Sequence, residues 1–566
     1  MTRAEQKSSL DAVHATLTRG SLDEKEMVVV VEDTLDIARI HKDPKEGKVG
    51  ERSDPRDPSA LPAKASQERV IISGEENDRL LRIIDRHLMP AITLTYFAVS
   101  FDKNALSYAS VFDLQKDTGL VGNQYSLLNS IVYIAQLVFQ PASAYFLVKL
   151  PLSKYVPFLI ISWSACTAFM ALCHNFQGLI ATRFFLGGLE SSIAPAWVLY
   201  GQMFYRRSEQ GFRICCWYSM NGATIIIGSI VAYGLGHIKS DLLRPYQIIF
   251  LTLGLITALW GIVTIFLLPD SPTTARFLKG NDKVLAVERV RDNQQGIESR
   301  EFKWDQVAEM VLDLKSWCWM ALAFLISVPS GGLSSFGPLV LQSFGFDKYQ
   351  VMLLNMPAGF LMMVAMFASF FAARRFKVKS AIIAIVMLPC LVGSSMLFSL
   401  GREPKDRPAL LVAYYLTIVY AAVTPLMFNW HTSNVAGHTK KAATTAFFVA
   451  GQAGGNITGP LLFQSKDAPY YRKGLGVVLG IFCALYVLTG LTTLWLWRLN
   501  RRNARRRVRN GKKADLVDYS MMDANAVAEA KLRGEAGGGA EALGEGRLAT
   551  LDDLTDLKND EFIYVY

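Results

Sequence analysis

Residues 269–315 read PDSPTTARFLKGNDKVLAVERVRDNQQGIESREFKWDQVAEMVLDLK, and this charged stretch with no membrane span in it organises the chain on either side. Before it lie six mostly apolar runs, near 88–112, 124–147, 155–174, 177–204, 211–237 and 246–268; after it lie six more, near 316–341, 349–373, 379–400, 408–435, 442–464 and 474–497. About 20 apolar residues cross a hydrocarbon core as a helix, which satisfies its own backbone there. The layout predicts an all-α integral membrane protein with twelve transmembrane helices in two pseudo-symmetric six-helix bundles, 83–268 and 316–498. Inside the quoted stretch Val284, Val287 and Val290 recur at helical spacing. Residues 269–315 therefore read as a cytoplasmic linker with one or two short amphipathic helices.

Two polar tails dilute a hydrophobic share that still reaches 51%. Residues 1–82 read as a disordered tail without a cleavable signal, which leaves the first span to direct insertion. Residues 499–566 form the second tail, and within it 514–550, rich in Ala, Gly and Glu, also read as disordered. A net charge of +10 would suggest nucleic acid in a soluble chain. Here the basic residues follow the positive-inside rule instead: Lys149, Lys154, Arg206, Arg207, Arg374, Arg375, Lys440, Lys441 and the cluster from Arg498 to Lys513 all collect on one side. Both termini come out cytoplasmic, nucleic acid is excluded as a partner, and the last cluster is placed to meet anionic membrane lipids. The seven cysteines all fall within predicted spans and read as small core residues. Neither a nucleotide-binding loop, a metal-ligand spacing nor a nucleophile elbow is present, so the chain reads as no enzyme, with no cofactor and no metal.

A weak internal repeat agrees with duplication. The second span opens with Tyr125, Leu128 and Asn129, and the eighth with Tyr349, Leu354 and Asn355, at equivalent places in the two halves. Gly187, Gly188, Gly222, Gly228, Gly451, Gly454, Gly455 and Gly459 let helices approach closely or line a path.

Charges within spans require an account, because an ionised group in mid-bilayer needs a cavity or a partner. The first span contains Asp102 and Lys103, followed by Asn104; the fourth contains Arg183 and Glu190, which lie nearly on one helical face about 10 Å apart along the axis. Depth counting puts Lys103 and Arg183 in the outer half of the bilayer. An Asp102–Arg183 salt bridge is expected from this, and basic groups facing a cavity favour a carboxylate-bearing substrate. Arg213, Trp217 and Asn221 recur every four residues on one face of the fifth span with Tyr218 beside them, and Gln452 and Asn456 share a face of the eleventh. Asn429, Trp430, His431, Ser433 and Asn434 fall near the cytoplasmic end of the tenth, as gate or interface anchors.

At these residues the chain resembles carriers of the major facilitator superfamily, and more narrowly the fungal anion:cation symporter family that includes allantoate and nicotinate permeases. The resemblance is carried by Arg183-Phe-Phe-Leu-Gly through Glu190, Phe204-Tyr-Arg-Arg-Ser-Glu-Gln210 leading to Trp217-Tyr218, Tyr233-Gly-Leu-Gly-His237, Leu268-Pro-Asp-Ser-Pro272, Asn434-Val-Ala-Gly-His438, Asn456-Ile-Thr-Gly-Pro460, and the tail's Leu554-Thr-Asp-Leu557. It departs from the pattern at Gln140-Pro141, where many relatives carry Glu before the Pro. The resemblance implies proton-coupled uptake of a small organic anion, such as a nicotinate-, allantoate- or ureido-acid-like carboxylate, by alternating access of a monomer in the plasma membrane. Lys103, Asn104, Arg183, Trp217, Tyr218, Asn221, Gln452 and Asn456 would bind substrate, and Asp102 or Glu190 would carry the proton. Export of a fungal metabolite, or transport across an internal membrane, is the alternative; a non-transporting nutrient receptor is a remote one.

Overall fold

The structure, a computed structural model, describes residues 74–238, 241–291, 303–376, 378–464, 467, 469–511, 554–560 and 562–566. Among the described residues no strand occurs. The six spans of the N half are Gly74–Val111, Gln124–Lys149, Leu152–Phe169 with a 3-10 turn to Leu172, Phe176–Glu190 with Ile193–Phe204, Arg207–Tyr218 with Met220–Gly236, and Pro245–Leu267. Those of the C half are Leu314–Gln342, Lys348–Phe376, Lys379–Ser399, Arg407–Ile418 with Val423–Ser433, His438–Leu462 and Arg472–Arg509. Two short helices, Asn281–Arg291 and Trp304–Leu312, lie in the connection.

Among the described residues, eight of these helices are long and apolar enough to cross a membrane by length and composition alone. The first, second, fourth and eleventh spans fall short of that measure. They carry polar and small residues within their apolar runs, Asp102, Lys103, Gln136, Arg183, Glu190, Gln452 and Asn456 among them. The outward faces are apolar: Leu259, Phe266, Phe360 and Val487 are exposed, as a surface meant for lipid requires.

The first and last helices run past the boundaries expected from the sequence. The first begins at Gly74, inside the stretch read as a disordered tail, and the last continues to Arg509. Neither extension contains a helix breaker; the last ends at Arg509, two residues before Gly511, whose φ of 74° no continuing helix allows. The readings of residues 1–73 and 514–550 lie outside the described residues.

Three spans read as continuous are broken in the middle. The fourth breaks at Ser191-Ser192, the fifth at Ser219, and the tenth at a 3-10 turn over Val419–Ala422. Unwound backbone at membrane depth is tolerated where protein or a cavity covers it, and these breaks lie at or beside the central cavity.

The halves meet most closely between the fifth and eighth spans. A Cβ on Gly222 would come within 2.6 Å of the Gly359 carbonyl, and one on Gly359 within 2.5 Å of the Gly222 carbonyl, so only glycine fits this crossing. Hydrogen bonds latch the halves at the end of the bundle away from the linker. Ser107 Oγ donates to the Ser334 carbonyl (2.9 Å), Tyr125 Oη to the Ser335 carbonyl (2.9 Å), Ser126 Oγ to the Phe463 carbonyl (2.7 Å) and Tyr349 Oη to the Gly236 carbonyl (3.0 Å). Towards the linker end the Phe212 ring lies 6.0 Å from that of Phe370, and the Cys215 thiol donates to the Met366 carbonyl at 3.7 Å.

Candidate functional site

Between the halves, at the level of the helix breaks, lies a cavity of about 200 Å³. The first span presents Tyr96, Ser100, Lys103, Asn104 and Ser107 to it, and the fifth span Tyr218 and Asn221 from either side of its break. The C half contributes Ser330 and Ser334, Asn355, Tyr414, Tyr420, Thr424 and Asn456. Among the lining residues Lys103 is the one charged side chain.

Lys103 is held from behind. Its Nζ lies 3.3 Å from Glu190 Oε2, with the glutamate side chain fully buried and the lysine's 29% exposed, and 5.8 Å from the centre of the Tyr133 ring. Gln136 Nε2 donates to the same Oε2 at 3.3 Å, while Oε1 has no hydrogen-bond partner. Glu190 is the last residue of its helix before the break, where the carbonyl end of the helix dipole disfavours a carboxylate. A nearby ammonium offsets that cost, and removing Lys103 would leave Glu190 buried beside that helix end.

The expected Asp102–Arg183 salt bridge does not form. Trp163 Nε1 donates to Asp102 Oδ2 at 2.9 Å and Thr257 Oγ1 to Oδ1 at 3.4 Å, so the carboxylate turns to the third and sixth spans. Successive helix residues point about 100° apart, and with Lys103 facing the fourth span Asp102 faces away from it. Arg183 is 2% exposed with no partner on Nε, near enough to Glu190 for electrostatic interaction yet, among the described residues, in no ion pair.

Of the residues singled out in the sequence, the structure brings Lys103, Asn104, Tyr218, Asn221 and Asn456 together at the cavity and Glu190 directly behind it. Asn221 accepts from Ser100 Oγ at 2.8 Å and donates to Tyr96 Oη at 3.3 Å. Asn456 Oδ1 is buried without a partner. Asp102, Arg183, Trp217 and Gln452 do not line the cavity. Trp217 packs edge-on against Tyr96 at 4.6 Å, one layer behind the wall. Arg213, on the same face in sequence, lies near the linker end, where its Nη2 meets Asp85 Oδ2 at 2.6 Å. The shared face is split by the helix break, which sends Asn221 to the cavity and Arg213 to the linker end. His431 is fully buried in the C half, its ring stacked 5.0 Å from that of Phe448 and both nitrogens unpartnered.

Sequence reasoning missed the tyrosines Tyr96, Tyr108, Tyr133, Tyr414 and Tyr420, and Asn355 as a wall residue. Asn355 stood in the internal repeat, and that was its available signal. Its Nδ2 donates to Ser229 Oγ across the halves at 3.3 Å, and its Oδ1 accepts from Tyr414 Oη at 3.2 Å.

The model of the family described as the Major Facilitator Superfamily matches residues 92–460, which contain both halves of this cavity. The chain belongs to the Major Facilitator Superfamily. Within that superfamily it is 36% identical over 423 residues to an uncharacterised transporter of Schizosaccharomyces pombe, covering 74% of this chain and 80% of that one. It is 30% identical over 416 residues to the thiamine pathway transporter THI73 of Saccharomyces cerevisiae, covering 72% and 79%. With the allantoate permease of the same yeast it shares 27% over 515 residues, covering 87% and 94%. These relatives agree with the fungal branch that the sequence resembles. A crystal structure of a bacterial homologue of the human lysosomal transporter Spinster, inward-facing and occupied, superposes with a TM-score of 0.55 at 13% identity, covering 72% of this chain and 96% of that one. A D-xylose-proton symporter gives 0.54 at 12%, with the same coverage. Both show the major facilitator fold. The protein is accordingly a multi-pass membrane protein and a secondary transporter, not an enzyme.

Proposed function

We propose that this carrier takes up a small organic anion together with a proton, by rocking its halves about the central cavity. The observation that carries the reading is Lys103, the one cation on the cavity wall, held at 3.3 Å by the buried Glu190. A substrate carboxylate entering the cavity gains a charge-assisted hydrogen bond from Lys103 and draws the ammonium off Glu190. Glu190, left buried at a helix end without its cation, then takes a proton, because an unpaired buried carboxylate costs several kcal/mol. Anion and proton thus occupy the site together and leave together. Arg183, behind Glu190, biases this exchange electrostatically, and Asp102 holds the first span against the third and sixth. Tyr218, Asn221, Asn104 and Asn456 shape the pocket around the rest of the substrate.

The positive-inside pattern supports a linker end facing the cytoplasm and both termini inside, and the family resemblance supports a monomer in the plasma membrane. The likeness to allantoate permease supports a carboxylate of the ureido-acid or nicotinate kind. Uptake of labelled small carboxylates into cells or proteoliposomes, with a pH gradient imposed and then collapsed, tests the reading. Accumulation that follows the gradient is expected; uptake indifferent to it removes the coupling.

A further inference from the structure

Residues 554–566 cross the linker end of the C half and fill a site built from five of its spans. Asp556, fully buried, pairs with Lys315 at the start of the seventh span and, at 3.1 Å, with Lys440 at the start of the eleventh. Both ammonium groups are themselves fully buried, and Asp313 Oδ2 lies 3.0 Å from Lys440 Nζ. Burial alone would raise the Asp556 carboxyl, but the two lysines outweigh it and hold it below the ordinary carboxylate range.

The surrounding donors are aimed at backbone. Asn434 and Asn500 each clamp one residue in both directions. Asn434 Nδ2 donates to the Val565 carbonyl at 2.9 Å and its Oδ1 accepts the Val565 N–H at 2.8 Å; Asn500 does the same with Tyr564 at 2.8 Å each way. Trp430 Nε1 donates to the Val565 carbonyl at 2.8 Å, Asn503 to that of Phe562 at 3.0 Å and Arg507 to that of Asp560 at 2.7 Å. The Tyr564 ring is buried 4.7 Å from Lys315 Nζ. Amide clamps on a foreign backbone, together with a closed pocket for one acidic side chain, have the chemistry of a peptide-binding groove. The segment also grips the linker helix Trp304–Leu312, where Thr555 Oγ1 donates to Glu309 Oε2 at 3.0 Å and Lys558 reaches Asp305 at 3.3 Å.

We propose that the linker end of the C half is a peptide-docking groove, and that residues 554–566 occupy it as a tethered, exchangeable ligand that fastens the linker helix to the bundle. The segment belongs to the same chain as the groove, so its docking is intramolecular and is favoured over that of a free peptide at ordinary concentrations. A free peptide of the same sequence fits the same groove. The proposal does not depend on which substrate is carried.

To test it, a protease site is inserted within residues 512–553 of the full-length carrier, and the purified protein is cut. The released fragment should stay bound through gel filtration at high protein concentration, then exchange with excess fluorescent peptide 554–566. A fragment carrying Asp556→Ala should dissociate, and the same change in the free peptide should weaken its binding about tenfold or more. Accessibility of the linker helix to hydrogen exchange should rise when the fragment leaves. A fragment lost on cutting without change in the linker helix, one that never exchanges, or a peptide with Asp556→Ala that binds as well as the unmodified one would each overturn the proposal. The cut full-length carrier keeps the test independent of whether a chain truncated at 553 folds.

Discussion

The two walls of the central cavity are built from opposite chemistry. The N half contributes a charged constellation of Lys103 with Glu190 behind it, and Arg183 and Asp102 deeper in that half; the C half contributes serines, asparagines, tyrosines and Thr424 with no charge in the lining. The folds of the halves are pseudo-symmetric, but the charge is not duplicated. Under the proposed coupling of one anion to one proton a single ion pair suffices for the exchange, whereas a second, symmetric pair would cost desolvation again without adding coupling. The neutral wall can then approach and retreat as the halves rock, changing the substrate's hydrogen bonds and not its counterion.

That contrast breaks most sharply at Glu190. Glu190→Gln removes the carboxylate proposed to accept the proton, while the amide can still accept from Lys103 as a neutral partner. Gradient-driven accumulation should fall by about tenfold or more, while exchange of internal for external substrate persists, measured by counterflow in proteoliposomes. Equal loss of both would mean that Glu190 holds the fold and not the proton. Lys103→Ala comes next. It removes a charge-assisted hydrogen bond to the substrate, of about 1.5–3 kcal/mol, so KM should rise by about tenfold or more, with Lys103→Arg recovering part of it. Should Lys103→Ala transport a neutral analogue as well as the original acid, the anion preference is traced to this residue.

Much of the fold was legible because membrane physics writes it in long apolar runs, although the first, second, fourth and eleventh spans are too polar to pass on length and composition alone and were read from their place in the layout. The cavity wall was legible where charge had no other explanation and at a few polar residues of the first, fifth and eleventh spans, Asn104, Asn221 and Asn456 among them. Lys103 and Glu190 stood out as ionisable groups in apolar helices, but their pairing did not, because neighbours such as Asp102 and Lys103 diverge by about 100° and only the packing says which one meets the fourth span. Pro195 and Pro425, which cannot bond the carbonyls of Ser191 and Ala421 four residues earlier, mark the breaks in the fourth and tenth spans, but no proline announces the break at Ser219, so Trp217 and Arg213 were placed on a face with Asn221 that the folded chain divides. Tyrosines were invisible for a different reason: in a span they read equally as lipid-interface, core or cavity residues, and the burial of Tyr108 and Tyr414 beside the cavity is a property of the assembled halves. Leu554-Thr-Asp-Leu557 of the docked segment stood out as part of the resemblance, yet no pattern within it names Lys315 and Lys440 as the partners of Asp556.

The neutral wall should yield smaller effects. Asn355→Ala removes the hydrogen bonds to Ser229 and Tyr414, and Asn456→Ala a cavity-lining amide whose oxygen has no protein partner. Each hydrogen bond contributes about 1 kcal/mol, so KM should change by about fivefold for either variant, with the dependence on the pH gradient intact. A variant of the C half that abolished gradient dependence would break the division of labour between the walls.

The smallest effect concerns pH at the linker end, where the halves also differ. The N half closes with Arg289 against Glu209 and Asn77, all near in the fold to the first span, while the C half depends on Asp556 from the far end of the chain. Asp556 is held below its ordinary value of 3.8 when docked. A carboxyl depressed in the bound state contributes to docking fully above its free value, and the contribution is lost as pH falls through the depressed one. Binding of peptide 554–566 to the cut carrier should therefore stay flat from about pH 8 to pH 5 and weaken only in stronger acid, even where transport rises with proton supply. A binding curve that instead tracked transport across that range would couple the groove to the cavity, and with it the neutral half to the charged one.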